Sequence, residues 1–239
     1  MAAFRQVSTD IKADGTPVTR VDRETTEAVQ SALKARFPDY GILSEENPED
    51  YLPDAKWQWV LDPLDGTAMF ARGFPVWGIG LGLMRGLEPV EGYLSFPVLR
   101  ERYTCSGGEI RINGTRLTAT AEPPAAPTRN ILVGSEIIQE FPLQRVRGYK
   151  MRNFGTNLYH LAAVGLGHAE AMISPRAYLW DLVPGLPFTR ARGMVERYLD
   201  RSEFSLGALW EPSRRHDATS RPLIVGTAEA VESLLNALA

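Results

Sequence analysis

The chain has 239 residues, long enough for one large domain or two small ones with a real core, and it is 44% hydrophobic and 23% charged, the balance of a soluble globular protein. A net charge of −3 supplies no basic field for nucleic acid or anionic lipid, and no apolar run approaches the ~18 residues of a spanning helix. Cys105 is the only cysteine, which excludes an intramolecular disulfide and a multi-cysteine zinc site, and with three histidines a metal site has to be built from oxygen.

Met1 to Asp22 lacks the apolar middle of a signal peptide, so a cytoplasmic protein with no membrane and no nucleic-acid partner is expected. Residues 1–21 are polar and carry the turn signal Asp14-Gly15-Thr16-Pro17, with a short extended piece at Pro17 to Val21. A helix is predicted next, with Asp22 as N-cap and Ala28, Val29, Ala32, Leu33 and Phe37 at helical spacing until Pro38. The apolar stub Ile42-Leu43 then runs into Ser44-Glu45-Glu46-Asn47.

Trp57 to Leu61 is a strand-like run of aromatic and branched residues that stops at Asp62-Pro63-Leu64-Asp65-Gly66-Thr67. Two carboxylates spaced i, i+3 around a proline place hard oxygen ligands at the end of a rigid element. Gly66 and Thr67 offer N–H groups to an anion if a short helix starts there. Asp, Pro and Gly are also the usual residues of an ordinary strand-to-turn junction.

Val76 to Met84 and Pro89 to Phe96 flank Arg85 to Glu88 as a hairpin, Tyr103 to Cys105 and Glu109 to Ile112 continue the antiparallel pattern, and Asn113-Gly114 is a two-residue hairpin turn. The proline-rich Glu122 to Pro127 marks a seam. It divides an N-terminal α+β half, residues 1–122, from a C-terminal α/β half, residues 128–239. In the second half, strands are predicted at Ile131 to Val133, Tyr149 to Met151, His168 to Ile173 and Pro222 to Gly226. Helices are predicted at Thr156 to Val164, after Trp180-Asp181, and after Thr227 with Val231, Leu234, Leu235 and Leu238 as a core stripe. Pro184 and Pro187 keep the segment after Asp181 short or kinked. His160 and His168 are expected to be structural.

Asp22, Glu45, Asp62, Asp65 and Asp181 each stand where an apolar run gives way to a turn or a helix start. Carboxylates without histidine or cysteine select Mg2+, with Mn2+ as the alternative hard cation. Beside helix-terminal N–H groups, such a site implies phosphate chemistry. Spacing alone does not bring Asp181 to Asp62.

Trp59 to Thr67, with Phe70 and Gly73-Phe74-Pro75 beyond it, resembles the signature of the inositol monophosphatase family of magnesium-dependent phosphatases. Trp180-Asp181, followed by Gly185 and by Ala191 to Gly193, is similar to the family's second signature. Thr19-Arg20-Val21-Asp22 and Ser44-Glu45-Glu46 stand where the family has its Thr-x-x-Asp and Gly-Glu-Glu elements. The resemblance implies an α-β-α-β-α layered sandwich of the α+β class, with an antiparallel sheet in the first half, usually assembled as a homodimer. It implies that Glu45, Asp62, Asp65, Asp181 and the main-chain oxygen of Leu64 hold two or three Mg2+ ions. Asp22 and Thr67 would orient and deprotonate the attacking water, and the Gly66 and Thr67 amides would bind the phosphate.

The implied activity is hydrolysis of a small polyol or sugar phosphate monoester. Arg72-Gly73-Phe74-Pro75-Val76-Trp77 also resembles the histidinol-phosphate phosphatase branch, and a non-catalytic binder of phosphorylated ligands is the reading from another class. The chain starts almost directly at the Thr-x-x-Asp region, where relatives open with a further long helix, so one outer layer or part of a dimer interface is expected to differ. Met172 to Arg176 has no clear equivalent of the Glu that inositol-type members pair with sugar hydroxyls, and the pocket around Ser174 is expected to take the substrate.

Overall fold

A computed structural model of the chain describes residues 4, 8–12, 17–47, 52, 55–118, 128–210 and 217–238. The Glu122 to Pro127 seam and Asp14 to Thr16 of the first turn lie outside the described residues. The described chain begins with a two-stranded ribbon, β1 (Thr9–Ile11) antiparallel to β2 (Pro17–Thr19), and β2 passes directly into helix α1 (Arg20–Arg36). The N-cap of α1 is Thr19, not Asp22 as the sequence suggested. Thr19 Oγ1 accepts from Val21 N at 3.1 Å, and Asp22, inside the first turn, accepts from Thr19 N at 2.8 Å. This reciprocal arrangement serves two amides with two side chains, which a lone Asp22 cap cannot do.

The chain then builds a seven-stranded sheet from β3 (Gly41–Ser44), β4 (Trp57–Asp65), β5 (Gly78–Arg85), β6 (Glu88–Phe96), β7 (Glu101–Ser106), β8 (Glu109–Ile112) and β9 (Thr115–Arg116), lying side by side in that order. The short helix α2 (Thr67–Arg72) follows β4. Arg85 to Glu88 closes a hairpin as predicted, and Asn113-Gly114 turns β8 into β9 with φ of 49° and 84°, the left-handed pair that a two-residue turn of this kind needs. The sheet is antiparallel except at its edge, where β3 runs parallel to β4.

After residues 119–127 come β10 (Arg129–Val133), α3 (Ser135–Glu140), β11 (Tyr149–Arg152), α4 (Asn157–Gly165) and β12 (Ala171–Ser174). Helices α5 (Leu179–Leu182) and α6 (Leu186–Arg190), strand β13 (Val195–Tyr198), helix α7 (Leu206–Trp210), strand β14 (Leu223–Gly226) and helix α8 (Ala228–Leu238) complete the fold. The five strands order as β11-β10-β12-β14-β13, with the first three parallel and the last two antiparallel to their neighbours. The strand expected from His168 begins only at Ala171, because the Gly167 and His168 amides close α4 on Val164 and Ala163. The segment is short and broken as expected, but Pro187 costs no interior hydrogen bond: α5 ends before Pro184, and Pro187 sits in the first turn of α6, where its missing N–H leaves no gap.

Alternating side chains show how the layers stack. Ile42 and Trp59 face Leu33 of α1, whereas Leu43 and Val60 face a central layer that includes Leu161 of α4 and Leu182 of α5. From the other sheet, Leu132 and Met172 face the same central layer, while Ile131 and Ile173 face Val231, Leu234 and Leu235 of α8. Each such apolar side chain contributes about 1.5–3 kcal/mol on burial. The sequence of layers is therefore helix, sheet, helix, sheet, helix, and the middle layer joins both sheets into one packed body. Among the described residues no helix is long and apolar enough to cross a membrane.

Candidate active site

On a regular strand, residues spaced i, i+3 point to opposite faces. Asp62 pairs with Gly80 and Asp65 with Gly78, so three steps on β4 match two on β5, and the register shifts between them. This bulge at Pro63-Leu64 returns Asp65 to the side of Asp62, and Pro63, having no N–H, gives up no ladder bond there. Leu64 N donates to Asp62 Oδ1 at 3.0 Å and fixes the first carboxylate. Gly66 then turns the chain at φ 85°, a left-handed conformation that β-carbon-bearing residues resist, and α2 starts at Thr67.

The parallel edge strand decides where Glu45 goes. With Ser44 opposite Leu61, β3 ends one step before Asp62, and Glu45 leaves the sheet beside that carboxylate. An antiparallel β3 would have carried it to the far end. Asp181 arrives from the first turn of α5, where it accepts from Tyr178 N at 2.7 Å. Carboxylate oxygens of Asp62, Asp65 and Asp181 lie within 4.8 Å of one another.

A cavity of about 290 Å³ opens at this point. Glu45, Asp62, Leu64, Asp65, Gly66, Thr67 and Asp181 line it, together with Glu136, Asn157 and Arg176 and the aromatic pair Tyr178 and Trp180. Asp22 is 1% exposed and does not line it, but is hydrogen-bonded to Thr67, whose Oγ1 is 3.1 Å from Asp22 Oδ1 and 2.9 Å from the Leu64 carbonyl. The other Asp22 oxygen accepts from Thr19 N and, at 2.6 Å, from Thr19 Oγ1. Ser174 borders a second cavity of about 280 Å³. Its side chain is fully buried and donates to the Arg176 carbonyl at 2.7 Å.

Burial pushes the carboxyls of Glu45, Asp65 and Asp181 up to about 7 and that of Asp62 well above the carboxylate range, and neighbouring carboxylates add in the same direction. Lys12 opposes this at Glu45, with Nζ 2.7 Å from Glu45 Oε1 and 2.5 Å from Glu46 Oε1. At Asp65 the opposing donors are the amides of Leu158 at 2.7 Å and Asn157 at 3.2 Å, the first residues of α4. Glu45, Glu46, Asp62, Asp65 and Asp181 set five carboxyl groups against the one Lys12 ammonium, and every ligand atom they offer is a hard oxygen. The set suits a divalent cation of the magnesium class.

Of the residues that sequence reasoning passed over, Asn157 was within reach, since Thr156 announced a helix start whose free amides need an acceptor. Lys12, Glu136 and Arg176 belong to no local pattern. His160 is structural as expected: its Nε2 accepts from Phe154 N at 3.0 Å, and burial pushes the imidazole down to about 4.

The model of the inositol monophosphatase family matches residues 2–235. The chain belongs to this family. Members of the inositol monophosphatase family are phosphatases that hydrolyse phosphate monoesters. Among its relatives is a histidinol-phosphatase of Chlorobaculum parvum, 28% identical over an alignment 189 residues long that covers 76% of this chain and 72% of that protein. The Thermotoga maritima IMPase superposes with a TM-score of 0.80 at 21% identity, covering 99% of this chain and 91% of the other. An IMPase/NADP phosphatase complexed with Mg2+ and phosphate gives a TM-score of 0.78 at 21% identity, over 97% and 85% of the two chains. These likenesses show the layered α+β fold of the inositol monophosphatases.

Proposed function

We propose that this chain is a Mg2+-dependent phosphomonoesterase that hydrolyses a small polyol or sugar phosphate by direct attack of an activated water. The observation that carries the reading is the meeting of Asp62, Asp65 and Asp181 within 4.8 Å, beside the Thr67–Asp22 hydrogen bond. Glu45, Asp62, Asp65, Asp181 and the Leu64 carbonyl would hold two or three Mg2+ ions, a role in keeping with the Mg2+ and phosphate bound by the structural relative. When bound, the ions supply Lewis-acid activation of water and neutralisation of phosphoryl charge.

The chain's own residues do the rest. Thr67 Oγ1 takes a proton from the attacking water while its own proton moves toward Asp22 Oδ1. The two Thr19 donors on Asp22 Oδ2 hold that carboxylate in place and leave Oδ1 facing Thr67. The Gly66 and Thr67 amides orient the phosphate, and the α4 amides keep Asp65 from rotating away. The same proposal has residues 1–122 carry most of the metal-binding carboxylates, residues 128–239 supply Asp181 and the pocket around Ser174, and two chains pair as a cytoplasmic homodimer.

Histidinol phosphate is the second reading for the substrate, favoured by the 28% identity to the Chlorobaculum parvum histidinol-phosphatase. Phosphate release from inositol, sugar and histidinol phosphates, with and without Mg2+, tests the proposal and ranks the two. Asp62→Asn is expected to end turnover while circular dichroism stays that of the wild type. A folded sample that releases no phosphate from any of these esters in excess Mg2+ refutes it.

A further inference from the structure

The two cavities described above share Asp65, Glu136, Asn157 and Arg176, so the second opens directly off the carboxylate site. Among the residues that line the pair, Arg176 is the one lysine or arginine, and the His160 imidazole there is neutral and already used as an acceptor. Among the described residues the Arg176 guanidinium has no carboxylate or hydrogen-bond partner, although Arg190, Arg201 and Arg221 on the surface all have one.

The backbone beneath Arg176 is held from both sides. The buried Ser174 hydroxyl donates to the Arg176 carbonyl, and Ala177 N donates to Thr219 Oγ1 at 3.2 Å. Pro175 fixes the chain just before it and lies against Gly134, where an added Cβ would stand 3.1 Å from the Pro175 Cγ. An exposed, permanently charged, planar donor is thus mounted on a loop held by these contacts, at the junction of the carboxylate site and a side pocket.

We propose that Arg176 binds a second anionic group on the leaving alcohol, so that the preferred substrates are phosphate monoesters bearing another phosphate or a carboxylate rather than neutral polyols. This rests on the phosphatase reading above and narrows it. A guanidinium forks onto phosphate or carboxylate through two parallel hydrogen bonds, whereas a neutral polyol leaves its charge to water. An ammonium-bearing alcohol would meet repulsion there.

The test is the ratio of kcat/KM for glucose 1,6-bisphosphate to that for glucose 6-phosphate, with 6-phosphogluconate as the carboxylate arm, for wild type, Arg176→Gln and Arg176→Lys. The wild type is expected to favour the doubly anionic esters at least about 10-fold, Arg176→Gln to lower that ratio about 10- to 100-fold through KM, and Arg176→Lys to fall between. A preference for only one of the two doubly anionic esters identifies which anion the site takes. An equal fall for all three esters places Arg176 on the scissile phosphate and overturns the proposal, as does a wild type with no preference. Turnover of glucose 6-phosphate without preference defeats this inference alone. Absence of turnover on every ester defeats the phosphatase reading, and calorimetry with the bisphosphate and Mg2+ then decides, equal affinities of wild type and Arg176→Gln counting against Arg176.

Discussion

Replacing Asp181 with Asn is expected to stabilise the metal-free protein while abolishing turnover. The Asp181 carboxyl lies at about 7 in the fold against an ordinary 3.8, chiefly through burial and then through the charge of Asp65. At about 1.4 kcal/mol per pH unit, keeping it ionised at pH 8 costs the folded state about 4 kcal/mol. Asn retains an acceptor for Tyr178 N and carries no charge. Allowing for relaxation of the wild-type site, the gain is about 2–4 kcal/mol, a rise of about 4–16 °C in melting temperature for a chain of this size. Because the folded value lies above the unfolded one, the native state holds the extra proton between about pH 4 and 7, and wild-type stability falls as pH rises through that window. The advantage of Asp181→Asn is therefore greatest above pH 7 and fades toward pH 4. Thermal unfolding in EDTA at several pH values measures it, and excess Mg2+ is expected to stabilise the wild type and not the variant. A variant that melts below the wild type in EDTA at pH 8 would show that the carboxylates are not strained against one another.

Thr67→Val removes the hydroxyl between the cavity and Asp22 and is expected to lower kcat about 10²–10³-fold, with Thr67→Ser retaining most activity; a Val variant within about fivefold of wild type removes Thr67 from proton transfer. A Cβ on Gly82 would stand 2.7 Å from Val183 Cγ1 and 2.8 Å from the Val183 carbonyl carbon, so Gly82→Ala forces α5 off the sheet. It is expected to cost about 1–3 kcal/mol in urea denaturation and to weaken Mg2+ activation by displacing Asp181, and an unchanged midpoint contradicts the packing described. His160, pushed down to about 4 from 6.5, stabilises the fold fully above about pH 6.5 and loses up to about 3 kcal/mol as pH falls toward 4. His160→Gln keeps an acceptor without titrating, so its stability is expected to slope less steeply over that range than the wild type's; identical slopes refute the assignment.

Asp62 to Thr67 could be read from sequence because its chemistry is local: an apolar strand, two acids, a proline and a glycine occupy consecutive positions. What brings the two acids to one side is a bulge, and nothing in a one-dimensional spacing of three reveals a register shift against Gly78 and Gly80. Asp22 showed itself as a helix-start residue, but Thr19 competes for the cap, and the Thr-x-x-Asp spacing was the clue to a reciprocal pair. The parallel pairing of β3 depends on the crossover that precedes β4, so the arrival of Glu45 beside Asp62 is a property of topology. Strand β13 gave little warning: Val195-Glu196-Arg197-Tyr198 mixes charges with apolar residues because it is an edge strand paired on one side with β14. The helical stripe of α8, by contrast, was plain, since Val231, Leu234, Leu235 and Leu238 all serve one buried face. Arg176 is a single charged residue in a loop, and its meaning comes from the walls around it.

The bond from Leu158 N to Asp65 Oδ2 spans 93 residues, and the triad is completed only when α5 has come to rest on the sheet. Contacts of such long sequence range carry a loop-closure cost that local ones do not. The carboxylate cluster therefore exists only when β4, α4 and α5 are all in place, and a chain lacking any of these contacts presents its acids separately. On the proposed function, Mg2+ binding would report that both halves of the chain have come together, so the ion would act as a clasp on the folded molecule.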